Sequence, residues 1–231
     1  MTPVLEFDRV TWTVLPPYET GLQGVAFAVQ PGELVAVRVQ AAAGGLPVAD
    51  AAQGLLEPEA CCVRIGGDDW RALAPDAAAR RRGATGRVFS GRGWVSNLDV
   101  DENVVLAQRH HTARPLGAIR EEAEAWARRF GLSGLPAARP AALGRAVLRR
   151  AEWVRAFLGT PTLIILEQPS RDLGAGELTP LVAAVAGARE RGAGVLWIAE
   201  DESEWSVAAA QASRRYGRAG DALTPWEGEA K

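Results

Sequence analysis

The chain has 231 residues, 48% of them hydrophobic and 23% charged, enough for one good-sized core or a core with a small subdomain in a globular protein. A formal net charge of -2 gives no electrostatic drive toward nucleic acid, and arginine-rich pieces such as "RRRG" (Arg80 to Gly83) read as solvated faces balanced by acid elsewhere. Of the 26 basic residues only Lys231 is a lysine, so no internal lysine exists to act as nucleophile, Schiff base or phosphate ligand.

The start, "MTPVLEF", lacks the charged region, apolar run and cleavage site of a signal peptide. No apolar run approaches the ~20 residues needed to span a bilayer, so a cytoplasmic location is expected. "VLEFDRVTWTV" and "LQGVAFAVQPGELVAVRV" alternate and are β-branched; they predict short strands with "QPGE" as a turn, an antiparallel β-layer at the start of the protein. Then comes "VAVRVQAAAGGLPVADAAQGLLEP" (Val35 to Pro58), a strand, a loop of small residues and a helix, the outline of a phosphate-binding loop without its lysine and hydroxyl.

"CCVRIGG" predicts a further strand, in which Cys61 and Cys62 face opposite ways as packing residues. "APDAAARRR" predicts a short helix with Pro75 and Asp76 in its first turn. "GRVFS" (Gly86 to Ser90) is a strand leading into "GRGWVSNLDVDENVVLAQRHH", whose second half is helical; His110 and His111 do not face together, and no metal cluster is expected. Ile119 to Phe130 is amphipathic, with Glu124 and Arg128 as a surface pair. A further helix runs from about Arg145 to Leu158, with Arg145, Arg149 and Arg150 expected on a solvated face. "PTLIILEQP" has the pattern of a buried parallel strand opening at the carboxyl edge of a sheet. A helix from about Gly176 to Arg191, the strand "GVLWIAE", and a helix from about Glu202 to Ala212 complete an α/β alternation. In "SRRYGRAGDALTPWEGEAK" apolar alternation is nearly gone, and final strands are not legible there.

The order of these segments, with the phrases "LEFDRVTW", "GVAFAVQPGELVAV", "GLLEPEACCVRIGG", "NLDVDENVVL", "RPAALGRAVLRRAEWVRAFLGTPTLIILEQPSRDL" and "RERGAGVLWIAED", resembles the nucleotide-binding domain of ABC transporters from Leu5 to about Ala212. The resemblance implies a P-loop NTPase-like α/β cassette with a mixed, mainly parallel core sheet, an N-terminal antiparallel β-layer and an inserted α-helical subdomain. It implies one domain over 1–231, with 1–89 and 160–231 as core and about 90–158 as the helical part.

Position by position, the chemistry departs from that family. The P-loop aligns with Val39 to Pro47: Val39 and Ala42 stand for glycines, Gly44 is retained, Gly45 replaces the lysine, Leu46 the magnesium-binding hydroxyl, and Pro47 removes a backbone donor. The adenine-stacking aromatic falls on Val14, flanked by Trp12 and Tyr18. Ser90 stands for the glutamine that meets magnesium, and Glu167 for its aspartate. Gln168 stands for the general base, and an amide cannot accept a proton in that role. Glu200 stands for the histidine at the γ-phosphate. The signature becomes Leu143, Gly144, Arg145, Ala146 and Val147, and the following loop "SRDLG".

The resemblance therefore implies a degenerate cassette that lacks ATPase activity and needs no cofactor. Its expected partners are an ABC membrane permease, a second cassette in a dimer, or both, at the inner face of the membrane. Phe89, Asn97, Glu102 and Asn103 fall where the family docks its permease. "ENVVLAQRHHT" is similar to cassettes of the Mla type, which serve lipid-trafficking permeases. Two other readings stand beside this one: a divergent ATPase that binds ATP and Mg through ligands such as Arg38 or Arg87, and a soluble interaction module unrelated to transport.

Overall fold

β1 (Leu5–Trp12) and β2 (Leu22–Val29) pair antiparallel, and the turn at 30–33 carries the chain into β3 (Leu34–Arg38). That turn forms as expected, but the strands it joins lie in different sheets. The computed structural model describes residues 1–13, 18, 21–39, 46–91 and 93–228. After the short helix α1 (Val48–Ala52), β4 (Ala60–Ile65) returns beside β1, and β5 (Asp68–Asp69) closes a four-stranded antiparallel layer in the order β2-β1-β4-β5.

Simple alternation does not run through β1. Leu5 and Phe7 are buried, and so are Val10 and Trp12, which lie one residue out of phase with them. A bulge at Arg9, whose φ is 48°, inserts the extra residue and turns both pairs toward the core.

Next come α2 (Pro75–Gly83), β6 (Thr85–Val88), α3 (Val100–His111), α4 (Leu116–Arg129) and α5 (Arg145–Phe157), then β7 (Leu163–Glu167), α6 (Thr179–Glu190), β8 (Gly194–Ala199) and α7 (Glu202–Gln211). β9 (Arg214–Ala219) and β10 (Ala222–Pro225) end the fold; they are the strands that the apolar pattern of this segment does not announce. The core sheet runs β10-β9-β3-β8-β7-β6, with only β10 antiparallel to its neighbour.

All five residues of β7 and all six of β8 are buried, as continuous apolar runs require of central parallel strands. One face of the sheet packs on the antiparallel layer and α1 through Val35, Val37, Ile165 and Ile198. The other packs on the helices through Ala36, Ile164, Leu166 and Trp197. Among the helices, Phe130 is ringed by Trp126, Trp153 and Phe157, with centroids 5.4 to 5.7 Å away. Gly86 lets β6 approach α5: a Cβ there would lie 1.8 Å from the Ala156 carbonyl oxygen. The Glu124 and Arg128 pair on α4 forms at 3.8 Å. Among the described residues no helix is long and apolar enough to cross a membrane.

Candidate functional site

Strand register gathers the critical positions. Arg38 is opposite Ala199, Glu167 opposite Ile198, and Val88 opposite Leu166, so Val39, Phe89, Ser90, Gln168 and Glu200 all leave the sheet at its carboxyl edge. Open α/β sheets place ligands in that crevice.

The loop entering the crevice does not present phosphate ligands at its described ends. Val39 and Leu46 are buried in the apolar cluster between the sheets, and Pro47 precedes a helix, α1, of only five residues. Ala42, Gly44 and Gly45, like Val14, lie outside the described residues. Trp12 is 2% exposed and belongs to the core rather than to a stacking platform. The Tyr18 hydroxyl donates to Asp50 on α1; burial first, and then that carboxylate, push the phenol well above its ordinary range.

At the centre stands Arg87, projecting from β6. Its Nε is 2.6 Å from Glu167 Oε1, and its Nη1 lies 2.7 Å from Asp50 Oδ1 and 2.9 Å from Gln53 Oε1. Burial works against the guanidinium, but Glu167 and Asp50 outweigh it and hold Arg87 above its usual value. Burial raises the Glu167 carboxyl, and Arg87 offsets only part of this. Ser90 Oγ donates to the other Glu167 oxygen at 3.5 Å. At the next residue, the Gln168 amide donates to Glu200. Arg38, the other arginine considered as a phosphate ligand, pairs with Glu202 and lies 4.9 Å over the Trp226 ring.

Sequence reasoning missed a second polar hub. Arg149, expected on a solvated face, is 5% exposed. It donates to Glu152 at 2.6 Å, to the Phe89 carbonyl at 2.7 Å and to the Arg171 carbonyl at 3.2 Å. The signal was available: an arginine and a glutamate three apart form a self-neutralising pair, so they can sit on the apolar side of a helix. Burial pushes the Glu152 carboxyl up to about 7, against the opposing pull of Arg149 and Arg155. Trp153 Nε1 donates to the Pro169 carbonyl at 3.1 Å, and buried Glu204 accepts from Ser170 N and Trp197 Nε1, both at 3.0 Å. Burial likewise raises the Glu204 carboxyl.

The remaining predicted positions divide by exposure. Leu143 packs against the helical core, Gly144 precedes the first turn of α5, and Ala146 and Val147 follow Arg145 within it. The Arg145 side chain is 82% exposed and lies 3.6 Å from Asp172. Phe89 is held between Arg87 and Arg155, at 4.4 and 5.2 Å from its ring. Glu102 accepts from the Asp99 amide at 2.8 Å and so caps α3. Asn97 is exposed, whereas Asn103 is 3% exposed. The Asn103 side chain turns inward: it accepts from Val95 N at 2.8 Å and donates to the carbonyls of Val95, Leu98 and Asp99.

No protein-family model matches the chain. The lipoprotein-releasing system ATP-binding protein LolD of Cereibacter sphaeroides is 31% identical over 166 residues, 70% of this chain and 72% of that protein. LolD of Ruegeria pomeroyi is 32% identical over 176 residues, 74% of this chain and 76% of that one. This chain belongs to the ATP-binding cassettes of ABC transporters. The fold agrees: the dimeric cassette MJ0796 bound to ADP and Pi superposes with a TM-score of 0.82 at 19% identity, over 97% of this chain and 100% of that one. An ATP-binding subunit of an ABC transporter gives 0.80 at 19% identity, over 96% and 89%.

A metal-bound nucleotide is what the family implies for the crevice, and the described residues of this cassette do not fit it. Glu167 at the end of β7 is taken up by Arg87, Leu46 is buried, and Gln168 and Glu200 beyond β7 and β8 hold one another.

Proposed function

We propose that this cassette is a degenerate subunit without ATPase activity that gives structural or regulatory support to a membrane permease, to an active cassette, or to both, at the inner face of the membrane. The observation that carries the reading is the internal ion pair of Glu167 with Arg87 at 2.6 Å, which takes up the carboxylate at the end of β7. Gln168 supports it, because an amide has no proton-accepting capacity to activate water. In this reading 1–89 and 160–231 form the cassette core and about 90–158 its helical part. The region from Phe89 to Asn103 is the docking surface, presented through Asn97 and exposed Val95 while Asn103 holds its shape from within. The LolD proteins belong to lipoprotein-releasing systems, and the Mla-type phrase "ENVVLAQRHHT" points the same way, toward a permease handling lipids or lipid-bearing cargo.

If an active cassette is the partner, exposed Arg145 at the start of α5 reaches that partner's phosphates. In a reconstituted complex Arg145→Ala then lowers the partner's ATP turnover, and unchanged turnover refutes the contact. For the chain itself, titration of the intrinsic tryptophan fluorescence with ATP and magnesium gives no saturable change, and the pure protein releases no phosphate above background. Magnesium-dependent turnover in the pure protein would overturn the proposal. Recovery of a permease with the chain from membranes separates transport from an unrelated soluble role.

A further inference from the structure

We infer that Arg87 is a built-in cation that does in this chain what a metal-bound nucleotide does in an intact cassette: it neutralises the carboxylates that face the crevice and ties α1 to the end of β7. The inference rests on the reading that no nucleotide is used, and it concerns what has taken the place of one.

The cluster has two sides. Asp50 lies within α1 and Gln53 at its end, so both belong to the helix that follows Leu46 and Pro47. Glu167 is the last residue of β7, on the opposite wall. Between them, Arg87 is 7% exposed. Its Nε–H meets Glu167 on one side, while Nη1 meets Asp50 and Gln53 on the other, and the Phe89 ring covers Cζ at 4.4 Å. The rigid, delocalised guanidinium is suited to such bridging, because it offers several donors in one plane and cannot shed its proton. Tyr18 and Ser90 occupy the outer oxygens of the same two carboxylates. Every group in the cluster therefore faces either the arginine or a neighbour, which matters most for Arg87 and Glu167, the two charges that are buried.

Two facing carboxylates with no cation between them would repel each other in a poorly solvated crevice. A short, five-residue helix cannot hold its own position by propensity. The arginine solves both problems at once, and it does so permanently, whereas a bound metal and nucleotide come and go. The arrangement of α1 and β7 is thus independent of ligand.

Thermal unfolding of wild-type and variant chains, with and without millimolar MnCl2 and with no nucleotide present, tests this. The wild type shows no change in Tm with MnCl2. Arg87→Ala lowers Tm on the order of 10 °C, as loss of one partner of a buried ion pair does in a chain of this size. MnCl2 restores part of that loss in R87A, because Asp50 and Glu167 are left facing the vacated volume, and the recovery disappears in the triple variant R87A/D50N/E167Q. Arg87→Lys keeps the charge but not the fork; it lies between wild type and R87A and ignores MnCl2.

A Tm for R87A equal to that of wild type, a loss that MnCl2 does not recover, or stabilisation of the wild type itself by MnCl2 would each overturn the inference. Should R87A not fold, R87K carries the test: a Tm equal to wild type refutes the bridging role, and a lowered, metal-insensitive Tm supports it. Failure of the functional reading would appear elsewhere, as ATP turnover by the wild type, and the nucleotide-free melting series is read separately from it.

Discussion

The side-chain amide of Gln168 donates to the carboxylate of Glu200, joining the ends of β7 and β8 across the crevice. The two side chains complement each other: an amide tolerates a carboxylate neighbour that a second carboxylate would repel. On the proposed reading, Gln168→Glu does not create ATP turnover. It lowers stability by about 1–3 kcal/mol in denaturant unfolding, because the donor is lost and two acids meet. Adding Glu200→His to Q168E recovers most of that loss. Phosphate release stays at background in both variants, and turnover in Q168E would contradict the account of Glu167 as an occupied carboxylate.

Asn103 holds the loop before α3 by four hydrogen bonds to main-chain groups of Val95, Leu98 and Asp99. Asn103→Ala leaves those groups without their partner at a cost of about 1–3 kcal/mol. Amide exchange at residues 95–99 rises, while that of β7 and β8 is unchanged. If exchange rises throughout the sheet instead, the loop is not a separately held unit.

Glu152 sets a pH dependence. Its carboxyl is raised by burial from 4.5 to about 7, with Arg149 and Arg155 opposing the shift and Glu167 and Asp172 adding to it. The folded chain thus keeps a proton that the unfolded chain releases. The contribution of this group to stability is fully present below about 4.5 and is lost as pH rises through about 7. Over that window wild type loses up to roughly 3 kcal/mol relative to Glu152→Gln, which has no proton to release. Parallel stability profiles for the two proteins would refute the assignment.

Gly86→Ala tests the contact of β6 with α5. The added carbon would lie 1.8 Å from the Ala156 carbonyl oxygen, and neither backbone can yield without breaking the sheet or the helix. The loss falls at or beyond the upper end of the roughly 1–3 kcal/mol typical of overpacking. Folded G86A with wild-type Tm would show that β6 can move away from α5.

Legibility in the sequence followed the physical simplicity of each element. β7 and β8 are continuous apolar runs and α4 is amphipathic, so their type and place were plain. The phase change in β1 was not, because a bulge at Arg9 obeys no two-residue period. The segment read as one helix from Gly176 begins as a 3-10 turn, Ala175–Leu178, before α6, with Pro180 in its first turn. β9 and β10 escaped notice because their order comes from pairing beside β3 rather than from an apolar pattern. At the site, the residue types at the strand ends were legible from the motif spacing, but their partners were not. Arginines look solvated until their carboxylates are found, and Arg87 and Arg149 find theirs through the fold, at Glu167 and Glu152. Asn103, read as a docking residue, is likewise an interior group whose neighbours lie five and eight residues earlier in the chain.

One buried guanidinium, Arg149, holds the main chain of both Phe89 and Arg171, and the Arg171 side chain reaches back at 2.5 Å to the carbonyl of Ser90. Loops that begin at the ends of two adjacent strands are thereby welded crosswise. A push delivered at the first passes to the second as displacement of a rigid body, with little slack to absorb it. Mechanically, this cassette is a strut, and its stiffness comes from its own side chains.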